Sequence, residues 1–297
     1  MGPNSGRRRP STLPMTRSPL PLRLAVLTLA ALLALPAGGA RRVENLETSV
    51  QMPVYRLSAP LPLPTEKLRY SLYWVGIPLG GVEVATAPAD DGAGLSVAVR
   101  GATVPAIEWL YSLRFSAEGR VHTEPFAPGG LTFESCENHR HKRTRILFPE
   151  GEGPIRGIRE KKGRIKEFVF HSENSYDVPS AVYLILHLDY APGRHYELDT
   201  FTGEARYLVS AEVVGREGIE VSGRAVDAWH LRLDTRDLTE PEVENKHRGT
   251  SVWISAQGPR RLLRARTETY VGSVSLELLP EQATAAAIDA SCPTPRA

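Results

Sequence analysis

Asp177, Ser180 and His187 supply the acid, nucleophile and base of a hydrolytic triad within eleven positions. Their spacing works against that chemistry. On a helix Ser180 and His187 stand roughly 10 Å apart along the axis, whereas proton transfer needs about 3 Å. The sequence has no Gly-x-Ser-x-Gly turn to expose a nucleophile. Asp177 and Ser180 instead suit a helix start, where short polar side chains satisfy free amide groups. Cys136, His139 and His141 are ligands that a soft metal could use. On one strand the two histidines share a face and Cys136 points the other way. Arg140, Lys142 and Arg143 add repelling charge, and neither His-Glu-x-x-His nor Cys-x-x-Cys occurs, so no metal is expected. A hydrolase would have to gather its site from distant strands, with His195, His230 or Asp234 as candidates.

Between His139 and Glu167 there are ten lysines and arginines against four acids, a local charge of +6. Edge charges that keep sheets from associating account for such a run. The functional alternative is contact with an anionic surface through Arg140, Lys142, Arg143, Lys161 and Lys162. Gly151, Gly153, Gly157 and Gly163 lie in the same stretch, but no Gly-Lys-Ser/Thr follows, so a phosphate loop is unsupported and no cofactor is expected. Trp74, Trp109 and Tyr183 fall on or near the apolar phase of their elements, which is the pattern of a core. Together with Leu184 they could also line a space for an acyl chain beneath a helix.

The elements that must carry these groups are mostly strands. Leu68, Tyr70, Leu72 and Trp74 alternate with polar positions, and Gly76, Pro78, Gly80 and Gly81 turn the chain into a return strand at Val82, Val84 and Thr86. About a dozen such segments follow to Leu279, separated by turns such as Asp90-Asp91-Gly92 and Pro128-Gly129-Gly130. Val178–Tyr190 reads as a helix, capped by Asp177, with Pro179 in its first turn and an apolar stripe at Ala181, Leu184, Ile185 and Leu188. Ala106–Ser112 suits one or two helical turns. The expected fold is all-β with one or two short helices: a single curved antiparallel sheet or open barrel with a plugging helix.

Residues 1–40 place Arg7, Arg8, Arg9, Arg17 and Arg23 before an apolar run, Leu24–Leu35, followed by Pro36 and small residues to Ala40. That order is a secretory signal, from a start at Met1 or Met15, and the run is shorter than the roughly 20 residues of a spanning helix. No cysteine follows for a lipid anchor, and a periplasmic chain without a transmembrane span is expected. Removing the five leader arginines from 36 basic residues leaves 31 against 34 acidic ones, a net charge of −3 that argues against a nucleic-acid partner. Residues 41–65, rich in proline, read as a leader or linker, 66–280 as the β-rich domain and 281–297 as a flexible tail. Cys136 and Cys292 can form a disulfide in an oxidising compartment, or remain one buried and one loose thiol.

The chain resembles domain-of-unknown-function family 3108, a group of exported bacterial β-rich proteins, over about residues 66–280. The likeness lies in Leu68-Arg69-Tyr70 with Gly76 and Gly80-Gly81, and in Tyr176-Asp177-Val178-Pro179-Ser180-Ala181 followed by Tyr183. It continues through Pro192-Gly193, Tyr207, Val214–Ile219, Gly223, Val252-Trp253-Ile254, Leu276, Leu278 and Leu279. Leu186 or His187 stands where the family often has an arginine, and Ser255-Ala256-Gln257 where it often has an aspartate. The resemblance implies the fold and carries no activity. The favoured function is a non-enzymatic envelope protein that binds an apolar or amphipathic ligand, a lipid or an envelope protein; a hydrolase and a docking scaffold are the alternatives. N-terminal sequencing of the exported protein is expected to start at or near Arg41; a chain beginning at Met1 or Met15 would show the leader is retained.

Overall fold

The computed structural model describes residues 42–48, 50, 52–55, 62, 64–92, 94–239, 248–269, 272–281, 288, 290 and 292. The signal segment therefore lies outside the described residues. The first strands are β1 (Arg42–Asn45), β2 (Glu66–Trp74), β3 (Ile77–Pro88), β4 (Gly94–Thr103), β5 (Leu113–Thr123) and β6 (Phe126–Glu137). Next come β7 (Arg140–Leu147), β8 (Ile155–Lys161), β9 (Arg164–Phe170), β10 (Ser175–Asp177), helix α1 (Val178–His187) and β11 (His195–Phe201). The chain ends with β12 (Arg206–Val221), β13 (Arg224–Asp237), β14 (Arg248–Ser255), β15 (Leu262–Thr269) and β16 (Gly272–Leu278).

All sixteen strands form one sheet in the order β1-β9-β8-β7-β6-β5-β4-β3-β2-β16-β15-β14-β13-β12-β11-β10. Neighbours run antiparallel except at the two ends, where β1 lies parallel to β9 and β10 parallel to β11. Alternation puts Tyr70, Val82, Leu95, Val121 and Leu276 on the inner face. The sheet curls until its β10–β11 end meets the inner face of β6–β9: Phe201 packs with Ile146, Ile155, Phe168 and Phe170. The turn after β11 comes so close to β7 and β8 that a Cβ on Gly157 would collide with the Gly203 carbonyl, and one on Gly203 with Thr144. Gly203 also holds a φ of +88°, which glycine adopts without strain.

Helix α1 fills the space between the two limbs. Leu184, Ile185 and Leu188 pack on Leu198, Val213, Leu231 and Ile254 of one limb, while Tyr183 packs on Leu95, Val97 and Val121 of the other. Asp177 Oδ1 accepts the Ser180 amide at 2.9 Å, so the cap forms as its sequence suggests. The helix stops at His187, short of the expected Tyr190, because Leu188 turns to extended geometry. Its last carbonyls are taken by the Arg260 guanidinium, at Leu186 and Leu188, and by the Tyr190 hydroxyl, at Ile185. The Ala106–Ser112 segment gives only a single 3-10 turn, Pro105–Ile107.

Described residues of the 41–65 segment lie against the sheet. The open edge of β9 takes up β1, Leu46 enters the core beside Phe168 and Phe170, and Tyr55 sits edge-on to Tyr196 at 5.6 Å. At its far end, the Pro62 carbonyl accepts the Tyr183 hydroxyl. The C-terminal segment is also tied down: Ile288 lies against Gly81, and Cys292 is joined to Cys136 in a disulfide.

The arginine of a buried ion pair on β11 and β12 reaches across to the opposite end of the sheet. Arg206 Nη2 donates to Asp199 Oδ2 at 2.8 Å, its Nη1 donates to the Leu46 carbonyl at 2.8 Å, and its guanidinium lies 4.1 Å from the centre of the Phe170 ring. Asp199→Ala, which strands this guanidinium, is expected to lower the urea unfolding free energy by about 3–5 kcal/mol. Burial pushes the Asp177 carboxyl up to about 6, against the opposing hydrogen bonds from Ser180. The folded state therefore holds this proton more firmly than the unfolded chain, so stability from this group is highest below pH ~4 and is lost as pH rises through about 6. Asp177→Asn keeps an acceptor for the cap and should flatten that slope in urea titrations run from pH 4 to 7.

Candidate functional site

The structure does not gather the four expected ligand-lining residues around one space. Tyr183 and Leu184 are core residues that fill the gap between the limbs, one facing each limb. Trp74 is half-buried on Leu79, Tyr111, Leu113 and Val274, and Trp109 is 84% exposed with its Nε1 donating to the Ala106 carbonyl. The five basic residues likewise do not make one surface, because strand alternation divides them. Lys142 shares the inward phase of β7 with Thr144 and Ile146 and is buried against Glu204, with Nζ–Oε1 at 2.9 Å. Arg140, Arg143 and Lys162 are exposed, Arg143 beside Glu134 at 3.1 Å, and Lys161 is half-buried.

The side chains with hydrolytic potential do not come together as a triad. Asp177 and Ser180 are fully buried at the helix start, whereas His187 Nδ1 sits 2.8 Å from the Tyr183 carbonyl and burial lowers its pKa. His230 stacks on Trp253 and faces Glu217 at 3.3 Å, and that carboxylate also accepts the Trp253 indole at 2.6 Å. His195 lies across from Glu212 and Asp234 across from Ser210, each exposed. Cys136 sits directly opposite His141, because Asn138 and His139 form the intervening turn with positive φ. Both cysteine sulfurs and a His141 nitrogen fall within 4.8 Å of one another. The sulfurs are bonded to each other, and a disulfide lacks the thiolate charge that holds a metal.

What does converge is one end of the sheet. The turns after β2, β6 and β8 and the link from β4 to β5 all emerge there. Four apolar side chains stand exposed at the turn from β2 into β3 and on the β4–β5 link: Val75 at 58%, Ile77 at 54%, Trp109 at 84% and Leu110 at 42%. Their chain neighbours Trp74 and Ile107 pack on the cluster of Leu79, Tyr111, Leu113 and Val274. The connection is further fixed by the Leu110 and Tyr111 amides on the Ile107 carbonyl, both at 2.9 Å, by the Tyr111 hydroxyl on Glu137, and by Arg114 on Glu108 at 3.0 Å. At the neighbouring turns Arg140, Lys162 and Arg164 are exposed and make no ion pair among the described residues. Between the two groups lies a recess of about 180 Å³ formed by Glu108, Ser112, Arg114, Cys136 and His139. A shallower depression of about 560 Å³ runs over Ala85, Ala87, Ala98 and Ser96, where small side chains leave the backbone of β3–β6 open, and no residue of α1 lines it.

Hydropathy alternation missed this end because it assigns Trp109 to a core phase. The available signal was the break itself: Val104-Pro105 interrupts the strand pattern, and an apolar pair placed after such a break has no strand partner to cover it.

No helix among the described residues is long and apolar enough to cross a membrane. No curated protein matches the chain. Among solved structures, it is similar to a β-barrel-like protein of domain-of-unknown-function family DUF1849 from Brucella abortus, with 7% identity, a TM-score of 0.52 and coverage of 72% of this chain and 94% of that one. A candidate exported protein with a YmcC-like fold from Bacteroides fragilis matches at 10% identity and a TM-score of 0.30, covering 73% of this chain and 96% of that one. A candidate lipoprotein from Parabacteroides distasonis matches at 8% identity and a TM-score of 0.28, covering 75% and 98%. At these identities the first likeness concerns the fold alone. The model of a protein family of unknown function, DUF3108, matches residues 69–279, which is most of the β-sheet, and the chain belongs to that family.

Proposed function

We propose that this is an exported, non-enzymatic cell-envelope protein that docks onto a lipid surface through the turn end of its sheet. The observation that carries the reading is the exposure of Val75, Ile77, Trp109 and Leu110 beside the cations Arg140, Lys162 and Arg164, which make no ion pair among the described residues. An indole and aliphatic side chains gain by entering the headgroup boundary, and each basic residue near an anionic leaflet adds about 1 kcal/mol. The leader sequence supports delivery to the periplasm, where such surfaces lie on both sides. The separation of Asp177, Ser180 and His187 supports a binding role over hydrolysis.

Co-sedimentation of the mature protein with vesicles of phosphatidylglycerol and phosphatidylcholine tests this reading. Binding is expected to be tighter to the anionic vesicles and to weaken with salt, and Trp109→Ser should weaken it about tenfold, ~1.4 kcal/mol. Because Trp109 is exposed, its replacement leaves the core intact. Equal binding by wild type and Trp109→Ser, or none by either, would refute the proposal.

A further inference from the structure

The inner face of β7 and β8 carries a second concentration of positive charge, separate from the exposed end. Lys142 lies directly across from Lys161, and Thr144 directly across from Arg159, so four side chains project from the corners of a frame roughly 5 Å by 7 Å. Lys142, Thr144 and Arg159 are each more than nine-tenths buried. The turn after β11 covers them and contributes one carboxylate, Glu204, which Lys142 and Arg159 share. Lys161 makes no ion pair among the described residues. Glu137, the next carboxylate, accepts the Tyr111 hydroxyl.

Two donors in this frame have no partner. Arg159 Nε and Thr144 Oγ1 are buried without a hydrogen bond, although a buried donor left unsatisfied costs about 1–3 kcal/mol. Lys142, Arg159 and Lys161 therefore crowd together around the Glu204 carboxylate, and an arginine N–H and a threonine hydroxyl beside them lack partners among the described residues. We infer that Lys142, Thr144, Arg159 and Lys161 form an oxyanion site for a phosphate group, either free or carried on a lipid headgroup. Planar guanidinium and ammonium donors at close quarters are what phosphate oxygens require. Burial, together with the nearby charges of Lys142 and Arg159, lowers the Lys161 pKa, as expected where positive charge is under-compensated. Lys161 is only half-buried, so it links the frame to solvent. This inference does not rest on the docking reading.

The test is a calorimetric and thermal titration of the mature protein with inorganic phosphate, with chloride at matched ionic strength as reference. A parallel arm uses monomeric short-chain phosphatidylglycerol, with the phosphatidylcholine analogue as its control. Saturable stabilisation by phosphate alone identifies free phosphate as the source, and stabilisation only by the anionic lipid identifies a headgroup; either supports the site. Lys161→Met should weaken the effective ligand about tenfold while leaving the melting temperature in chloride close to wild type. Glu204→Gln, which removes the competing carboxylate, should melt lower in chloride and gain more from the ligand than wild type does. Trp109→Ser should bind as wild type, which keeps failure here distinct from failure of the docking proposal. Equal melting in every medium, or an affinity untouched by Lys161→Met, would overturn the site.

Discussion

The contact of Arg206 with the Leu46 carbonyl and the Phe170 ring, held in place by Asp199 on the neighbouring strand, is the constraint on which this architecture depends. An open sheet of sixteen strands has two ends that expose unpaired backbone groups, and a barrel would remove them by closing. Here the ends never pair. The chain places a short parallel strand on each, β1 on β9 and β10 on β11, and a guanidinium from β12 reaches across to the β1–β9 end. Arg206 starts β12, reaches Asp199 on β11, the carbonyl of Leu46 just beyond β1, and the Phe170 ring on β9. A lysine could not take all three roles, because only the planar fork donates in two directions while stacking on a ring. Phe201 and Phe170, edge to face at 4.9 Å, seal the apolar side of the same junction.

Much of the fold was legible because most strands bury one face. Leu68, Tyr70 and Leu72 show period two plainly, and the helix around Leu184 is set off by its cap and its proline. Strand β8 was not legible. Its inward positions are Ile155, Gly157, Arg159 and Lys161, so that face carries one aliphatic side chain, one glycine and two charges, and hydropathy records no alternation. Strand β1 was hidden for a different reason: four residues beside a proline-rich stretch carry little pattern, and their pairing is decided by the open edge of β9. The candidate sites were less legible still. Alternation on β7 sends Lys142 inward and Arg143 outward, so a run that reads as one basic patch supplies two separate surfaces. Trp109 reads as core by type and becomes surface by position.

The two concentrations of positive charge differ in what surrounds them. At the turn end, Arg140, Lys162 and Arg164 meet water, where screening keeps their attraction modest and reversible. Inside, Lys142 and Arg159 meet little water, and charges there carry a desolvation cost that pairing with the shared Glu204 offsets. The same stretch of sequence therefore combines a weak, long-range attraction outside with a demanding, short-range one inside.

The contact between Leu46 and Arg206 spans 160 positions of sequence. Closing a loop of that size is entropically costly, and topologies dominated by such distant contacts fold slowly. A chain in which β9 has formed before β1 docks has a bare outer edge until the amino-terminal segment covers it. During that interval the molecule is a template for other extended chains. Quality control in its compartment has a defined feature to recognise: an exposed row of amides beside Val169 that disappears only when the first strand docks.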